Sequence, residues 1–114
     1  MRTRSLGWQP GFSDLVSLVK SGKAYVKISV TAGPREHYGY FTPLAQMLIS
    51  ANADRILWGT NWPHPNSVGG STLKVTPLWQ VDDGLVFNLL PTWATDAAVR
   101  KKILVDNPAR LYEF

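Results

Sequence analysis

The 114-residue chain contains no cysteine. Disulfides, thiolate nucleophiles and Cys-ligated zinc are therefore excluded, and the composition fits a reducing compartment, with the cytoplasm the expected location. Histidine is scarce: His37 and His64 are the only two, too few for a histidine-rich metal site built from this chain alone. No apolar run approaches the ~20 residues that a membrane-spanning helix needs. The basic start, Met1-Arg2-Thr3-Arg4, leads into no apolar signal-peptide core, so no secretory leader is expected. There is no repeat, low-complexity tract, helix-turn-helix, zinc-finger or RNA-recognition pattern. Neither a membrane nor nucleic acid is an expected partner.

What is present is a globular composition, 45% hydrophobic and 18% charged. Twelve basic residues against 8 acidic ones give a net charge of +4 and a pI near 9.6. On charge alone that balance is compatible with nucleic acid, anionic lipid or an acidic small molecule, and the one dense cluster, Arg100-Lys101-Lys102, fans around a helix and reads as a solvated face rather than an anion or partner contact.

Apolar Leu15, Val16, Leu18 and Val19 share one helical face, with Ser13 a possible N-cap and Gly22 a natural stop. Ala24–Val30 is β-branched and aromatic and reads as a strand. Residues 31–40 read as a Gly- and Pro-containing loop. Thr42 is placed as the N-cap of a second helix with Pro43 at its first position, and Leu44, Ala45, Leu48 and Ala51 as its buried stripe. Arg55–Thr60 is an almost unbroken apolar run, as expected for a strand buried on both faces. A loop with two prolines follows, from Asn61 to Asn66. Asp82 or Asp83 can cap a helix to about Leu90, and Thr95-Asp96 another to about Val105. Asn107-Pro108 opens a last short turn, with Leu111, Tyr112 and Phe114 available to pack.

Strands alternating with helices predict βαβ units and a parallel sheet. Two strands are too few for a stable open sheet or a barrel, and they leave strand edges bare, so self-association through those edges is expected. Trp58, Trp62, Trp79 and Trp93 read mainly as packing residues. Lys27 and Ser29, two apart on one side of a strand, read as a polar pair.

The run Trp58-Gly59-Thr60-Asn61-Trp62-Pro63-His64-Pro65 resembles the last barrel strand of the amidohydrolase-related (amidohydrolase 2) family, where it usually reads W-G-[TS]-D-W-P-H-P. Tyr25-Val26-Lys27-Ile28-Ser29 is similar to that family's penultimate strand, and residues 103–114 to its C-terminal signature V-D-N-P-A-x-L-Y-x-F. Within the family the chain looks most like the 2-pyrone-4,6-dicarboxylate lactonase branch. The resemblance covers nearly the whole chain. It implies an α/β fold that is the C-terminal portion of a TIM (β/α)₈ barrel, with strands seven and eight and flanking helices, incomplete as given, residues 1–114 being one partial domain.

The resemblance also assigns residues. The family's first-strand His-x-His has no counterpart here, and Asn61 stands where the family usually has Asp. An amide oxygen is a weak neutral ligand and no base, so no cofactor and no bound metal are expected, although the family includes divalent-metal enzymes. Asn61 is the candidate catalytic residue, orienting water or a lactone carbonyl, against the plainer reading of a turn former. Arg35 is a candidate grip on a substrate carboxylate, against a surface charge paired with Glu36. His64 either hydrogen-bonds substrate or braces its loop. Tyr38 shares the Arg35 loop as a further substrate contact or, like His37, as a packing residue.

The implied function is part of a hydrolase acting on a small carboxylated lactone or ester without a metal. The alternatives are an inactive fragment or assembly module that needs the missing half-barrel, and a metal-dependent decarboxylase of the same family, which Asn61 argues against.

Overall fold

A left-handed glycine ends the first helix. Gly22 has φ of 80°; its N–H bonds Val19 O, and Lys23 N–H reaches back to Leu18 O, the Schellman pattern that closes α1 (Phe12–Lys20). The structure is a computed structural model that describes residues 10–29, 35–66 and 73–114, with backbone alone for 35–37. Gly11, not Ser13, occupies the N-cap position, and it offers no side-chain cap; Ser13 lies inside the helix. Leu18, expected on the buried face, is exposed, while Val19 is fully buried.

The two strands are β1 (Val26–Ile28) and β2 (Ile56–Trp58), paired in parallel with Lys27 opposite Leu57. Both are shorter than the apolar runs that predicted them. At the start of the second, Arg55 closes a 3₁₀ turn in which the Asn52 side chain accepts from Asp54 N at 3.1 Å. Arg55 also donates to Gly22 O at 3.0 Å and lies over the Tyr25 ring, tying the end of α1 to the root of β2.

Between the strands, Arg35–Phe41 is a 3₁₀ turn, where a loop was expected, and it runs into α2 (Thr42–Ala51). Residues 31–34 of that expected loop lie outside the described residues. Thr42 is helical and not a cap; its hydroxyl instead accepts from Trp93 Nε1 at 3.1 Å. The buried stripe of α2 is Ala45, Leu48 and Ile49. These side chains meet Val19, Ile28, Ile56, Val86, Leu90, Trp93 and Ile103 in one core on the helix-covered face of the sheet.

Helices α3 (Asp83–Asn88) and α4 (Leu90–Trp93) supply Val86, Leu90 and Trp93 to it. The Asp96 carboxylate caps α5 (Ala97–Lys101) through Ala98 N at 2.8 Å, as its sequence predicts. The chain does not stop at Asn107-Pro108. A wider π turn, Lys102–Asp106, carries it straight into α6 (Asn107–Tyr112). Proline has no N–H for the normal helical bond and crowds the preceding turn, and the wider turn accommodates it.

Asn107 is fully buried. Its amide donates to Ala53 O at 2.7 Å and Ile56 O at 2.8 Å, and its Oδ1 accepts from Arg110 at 2.9 Å. One side chain thus fastens the C-terminal helix to the first turn of β2. The Arg100-Lys101-Lys102 cluster also differs from a freely solvated face: Arg100 donates to Ala94 O and Thr95 O, Lys101 pairs with Asp106, and Lys102 pairs with Asp54.

Each described strand has a single partner. Leu111, Tyr112 and Phe114, expected to pack, are exposed, the last two stacked on each other. The radius of gyration is 15.1 Å, against roughly 13 Å for a compact chain of this length. No helix among the described residues is long and apolar enough to cross a membrane.

Two outcomes follow for stability. Asn107→Ala removes the amide donor from one buried and one part-buried carbonyl and lowers unfolding free energy by about 2–4 kcal/mol in urea titration. The near-isosteric Asn107→Asp is at least as damaging, because a carboxylate cannot donate to a carbonyl. The Asp54 carboxyl is held below the usual carboxylate range chiefly by its hydrogen bond from Lys102. Because its folded value is the depressed one, the contact stabilises above the unfolded carboxylate range and is lost as pH falls through the folded value. Both groups are exposed, so the difference between wild type and Lys102→Met is small at neutral pH and vanishes in acid.

Candidate active site

Parallel pairing puts the C-terminal ends of β1 and β2 at the same end of the sheet. The backbone that leads to Arg35 leaves from one, and the Asn61 loop from the other. In α/β folds this is the end at which sites are built. The ladder continues one step past β2, with Gly59 N–H on Ile28 O at 3.2 Å. A Cβ on Gly59 would come within 3.2 Å of Lys27 Cδ, so the glycine lets the lysine stem pass close to the root of the loop.

The loop then turns sharply. Asn61 O accepts from His64 N at 2.8 Å, and the peptide between Trp62 and Pro63 is cis, which makes residues 61–64 a type VI turn. Asn61 and His64 flank it with φ of 63° and 64°. Asparagine and histidine are both among the residues found in this left-handed backbone, and contacts beyond the turn hold His64 there.

Those contacts are clear. His64 is only 5% exposed. Its Nε2 lies 2.8 Å from Asp83 Oδ1, and its carbonyl accepts from Trp79 N at 2.8 Å as the chain returns. Asp82 and Asp83 divide the work at the start of α3. Asp82 accepts from Gly84 N and Leu85 N as the cap, and so leaves Asp83 free for the imidazole. One turn further along α3, Phe87 packs edge-on against Trp58, with ring centroids 5.3 Å apart. Among the described residues, two buried polar atoms here have no partner: Trp58 Nε1 and His64 Nδ1.

The structure thus brings Asn61 and His64 into one four-residue turn and gives His64 a bracing bond to a helix. Arg35 begins the 3₁₀ turn that precedes α2, and its side chain lies outside the described atoms, as does that of His37. Tyr38 is buried in the core cluster. Of the tryptophans, Trp93 is buried in the core, whereas Trp62 is 76% exposed at the tip of the turn and is no packing residue. Sequence reasoning missed Asp83 as the partner of His64. Its signal was the doubled aspartate, since one helix start needs only one cap.

The described donors near the turn make no divalent-cation cluster. Asn61 offers a neutral amide oxygen, Nε2 of His64 is committed to Asp83, and among the described residues no three His, Asp or Glu side chains converge.

Comparisons with known proteins identify the family. The family profile described as amidohydrolase matches residues 6–114. The chain is 38% identical over 109 residues to a 4-sulfomuconolactone hydrolase of Hydrogenophaga intermedia, covering 91% of this chain and 33% of that protein. It is 40% identical over 91 residues to a 2-pyrone-4,6-dicarboxylate hydrolase of Comamonas testosteroni, covering 75% and 27%. A solved Pseudomonas putida structure, described as a candidate 2-pyrone-4,6-dicarboxylic acid hydrolase, superimposes with a TM-score of 0.68 at 27% identity, covering 97% of this chain and 38% of that one. The chain therefore spans about a third of the length of these relatives.

The turn's two ends respond differently to truncation. Trp62→Ala changes stability by less than about 0.5 kcal/mol, as for other exposed positions. His64→Ala, which strips the buried brace, costs about 1–3 kcal/mol. Denaturant midpoints at constant m-value check both.

Proposed function

The chain belongs to the amidohydrolase family, and from that premise we propose that it forms the C-terminal part of a (β/α)₈ barrel, β1 and β2 being the seventh and eighth strands, in an enzyme that hydrolyses small carboxylated lactones. The observation that carries this reading is the braced turn at the end of β2, which presents Asn61 at the end of the strands where such barrels do their chemistry. The two relatives named as hydrolases of a sulfomuconolactone and of a pyrone dicarboxylate supply the substrate class.

In lactone hydrolysis the water oxygen bonds to the carbonyl carbon, the ring acyl C–O bond breaks, and a proton passes from the water to the leaving oxygen. Asn61 can hydrogen-bond the water or the carbonyl oxygen, but its amide cannot take the proton. The base is therefore a group other than Asn61. Arg35 holds a substrate carboxylate through its planar fork. His64 keeps the turn in place from behind, and Tyr38 packs the segment that carries Arg35. The reaction is assigned no metal at Asn61, on the chemistry of the donors alone.

A second reading concerns the chain by itself. Among the described residues both outer strand edges are unpaired and apolar side chains are exposed, which supports reading the isolated 114 residues as an inactive module that pairs with the rest of a barrel.

The test is a lactonase assay on 2-pyrone-4,6-dicarboxylate. This chain fused to the N-terminal two thirds of a relative is expected to turn over, and the chain alone is not. In the fusion, Arg35→Met raises KM about 10–100-fold, the loss of one charged hydrogen-bonding partner, with a smaller change in kcat. Asn61→Asp raises bound divalent metal in elemental analysis. A fusion that folds yet hydrolyses no carboxylated lactone would overturn the proposed activity.

A further inference from the structure

Lys27 stands in the middle of β1, between two residues that face the helices. Ile28 is buried in the core cluster and Val26 packs against it, whereas Lys27 is exposed. Side chains alternate along a strand, so Lys27 belongs to the other face of the sheet, with Leu57, its partner in the register. That face becomes the interior when a sheet with helices outside it closes into a barrel.

The stem of Lys27 runs over Gly59. Its Cγ, Cδ and Cε lie 3.7, 3.2 and 3.7 Å from the point where a Cβ on Gly59 would stand. Gly59 is two residues beyond Leu57, so the side chain leans diagonally across the pair of strands, toward their C-terminal ends. The absence of a side chain on Gly59 leaves that path open. The ammonium sits one bond past Cε. Asn61 follows Gly59 by two residues, at most about 7 Å of chain, a gap that a small ring compound spans.

An ammonium enclosed in a barrel costs free energy unless an anion meets it. Among the described residues the ion pairs are His64 with Asp83, Lys101 with Asp106 and Lys102 with Asp54, and no carboxylate pairs with Lys27. A pyrone dicarboxylate carries two carboxylates, and Arg35 is assigned one of them.

We propose that Lys27 is a second anion-binding residue of the site, which holds the other carboxylate of a doubly charged lactone and selects dicarboxylates over monocarboxylates. The proposal rests on reading the Asn61 turn as the active site of a lactone-hydrolysing barrel. A compact charge on a flexible stem suits the task, since it meets a carboxylate without the fixed fork that arginine imposes. No bond or proton changes hands at Lys27. Its effect falls on substrate affinity and not on the chemical step.

The experiment is calorimetric binding to the fusion described above, with 2-pyrone-4,6-dicarboxylate and each of the two corresponding monocarboxylates. The wild type is expected to bind the dicarboxylate at least about 10-fold more tightly than either monocarboxylate. Lys27→Met is expected to weaken the dicarboxylate about 10–100-fold, the loss of one charged partner. The same variant leaves one monocarboxylate, the one without the carboxylate that Lys27 holds, within about 2-fold of wild type. Lys27→Arg keeps most of the dicarboxylate affinity. An equal loss for all three ligands overturns the proposal, because a lysine paired with a protein carboxylate would act through structure and not through one group of the ligand. An unchanged dicarboxylate affinity overturns it too, as does a folded wild-type fusion that binds no dicarboxylate. If Lys27→Met does not fold, the wild-type ratios and Lys27→Arg decide, and equal affinities for the three ligands count against Lys27. Binding is read without turnover, so a fusion that binds the dicarboxylate through Lys27 and hydrolyses no lactone would sink the proposed activity and leave the anion site in place.

Discussion

The amide of Asn107 is the contact on which the positions of the other parts depend. It is fully buried, and each of its polar atoms is used: two bonds go to the backbone that opens β2 and one comes from Arg110. A buried amide with all partners in place specifies a single geometry, because any shift leaves donors or carbonyls unpaired in a low-dielectric interior. The C-terminal helix is therefore registered against the root of β2. Arg55 adds a second tie from the same root to the end of α1. With its N-terminal end held from two sides, β2 aims its C-terminal end, and the Asn61 loop, in a defined direction.

At that far end the logic repeats on a smaller scale. The turn from Asn61 to His64 closes on itself through one backbone bond, and a single imidazole–carboxylate contact fixes it to α3. The contact is possible because Asp82 serves as the cap and leaves Asp83 free. Gly59, just before the turn, keeps the approach open for the Lys27 stem. The loop that carries the candidate chemistry is thus held by side chains that take no part in it. Site residues are placed as accurately as the shell behind them allows.

Among the described residues, two parallel strands packed against helices build a core, each strand keeps one outer edge unpaired, and aromatic side chains such as Trp62, Tyr112 and Phe114 stay exposed. The solved structure that the chain resembles is matched along nearly all of this chain and little more than a third of its own.

Much of this was legible from sequence, and the boundary of legibility has a physical cause. The alternation of helix and strand, the Gly22 stop, the Asp96 cap and the motif from Trp58 to Pro65 are local features, written in residues a few positions apart, and the family follows from them. The caps assigned to Ser13 and Thr42 were misplaced because several short polar residues near a helix start meet the same local criterion, and the choice among them is made elsewhere: Thr42 gives its hydroxyl to Trp93, 51 residues away. The role of Asn107, the division of labour between Asp82 and Asp83, and the pairing of His64 across 19 residues likewise belong to the tertiary structure alone. Sequence by itself determined which segments are helix or strand and which residue types stand at the end of the last one, since periodicity and backbone preference act over a single turn. Which side chains hold that end in place was decided only by folding, because the energy of a buried polar contact depends on a partner whose proximity nothing local encodes.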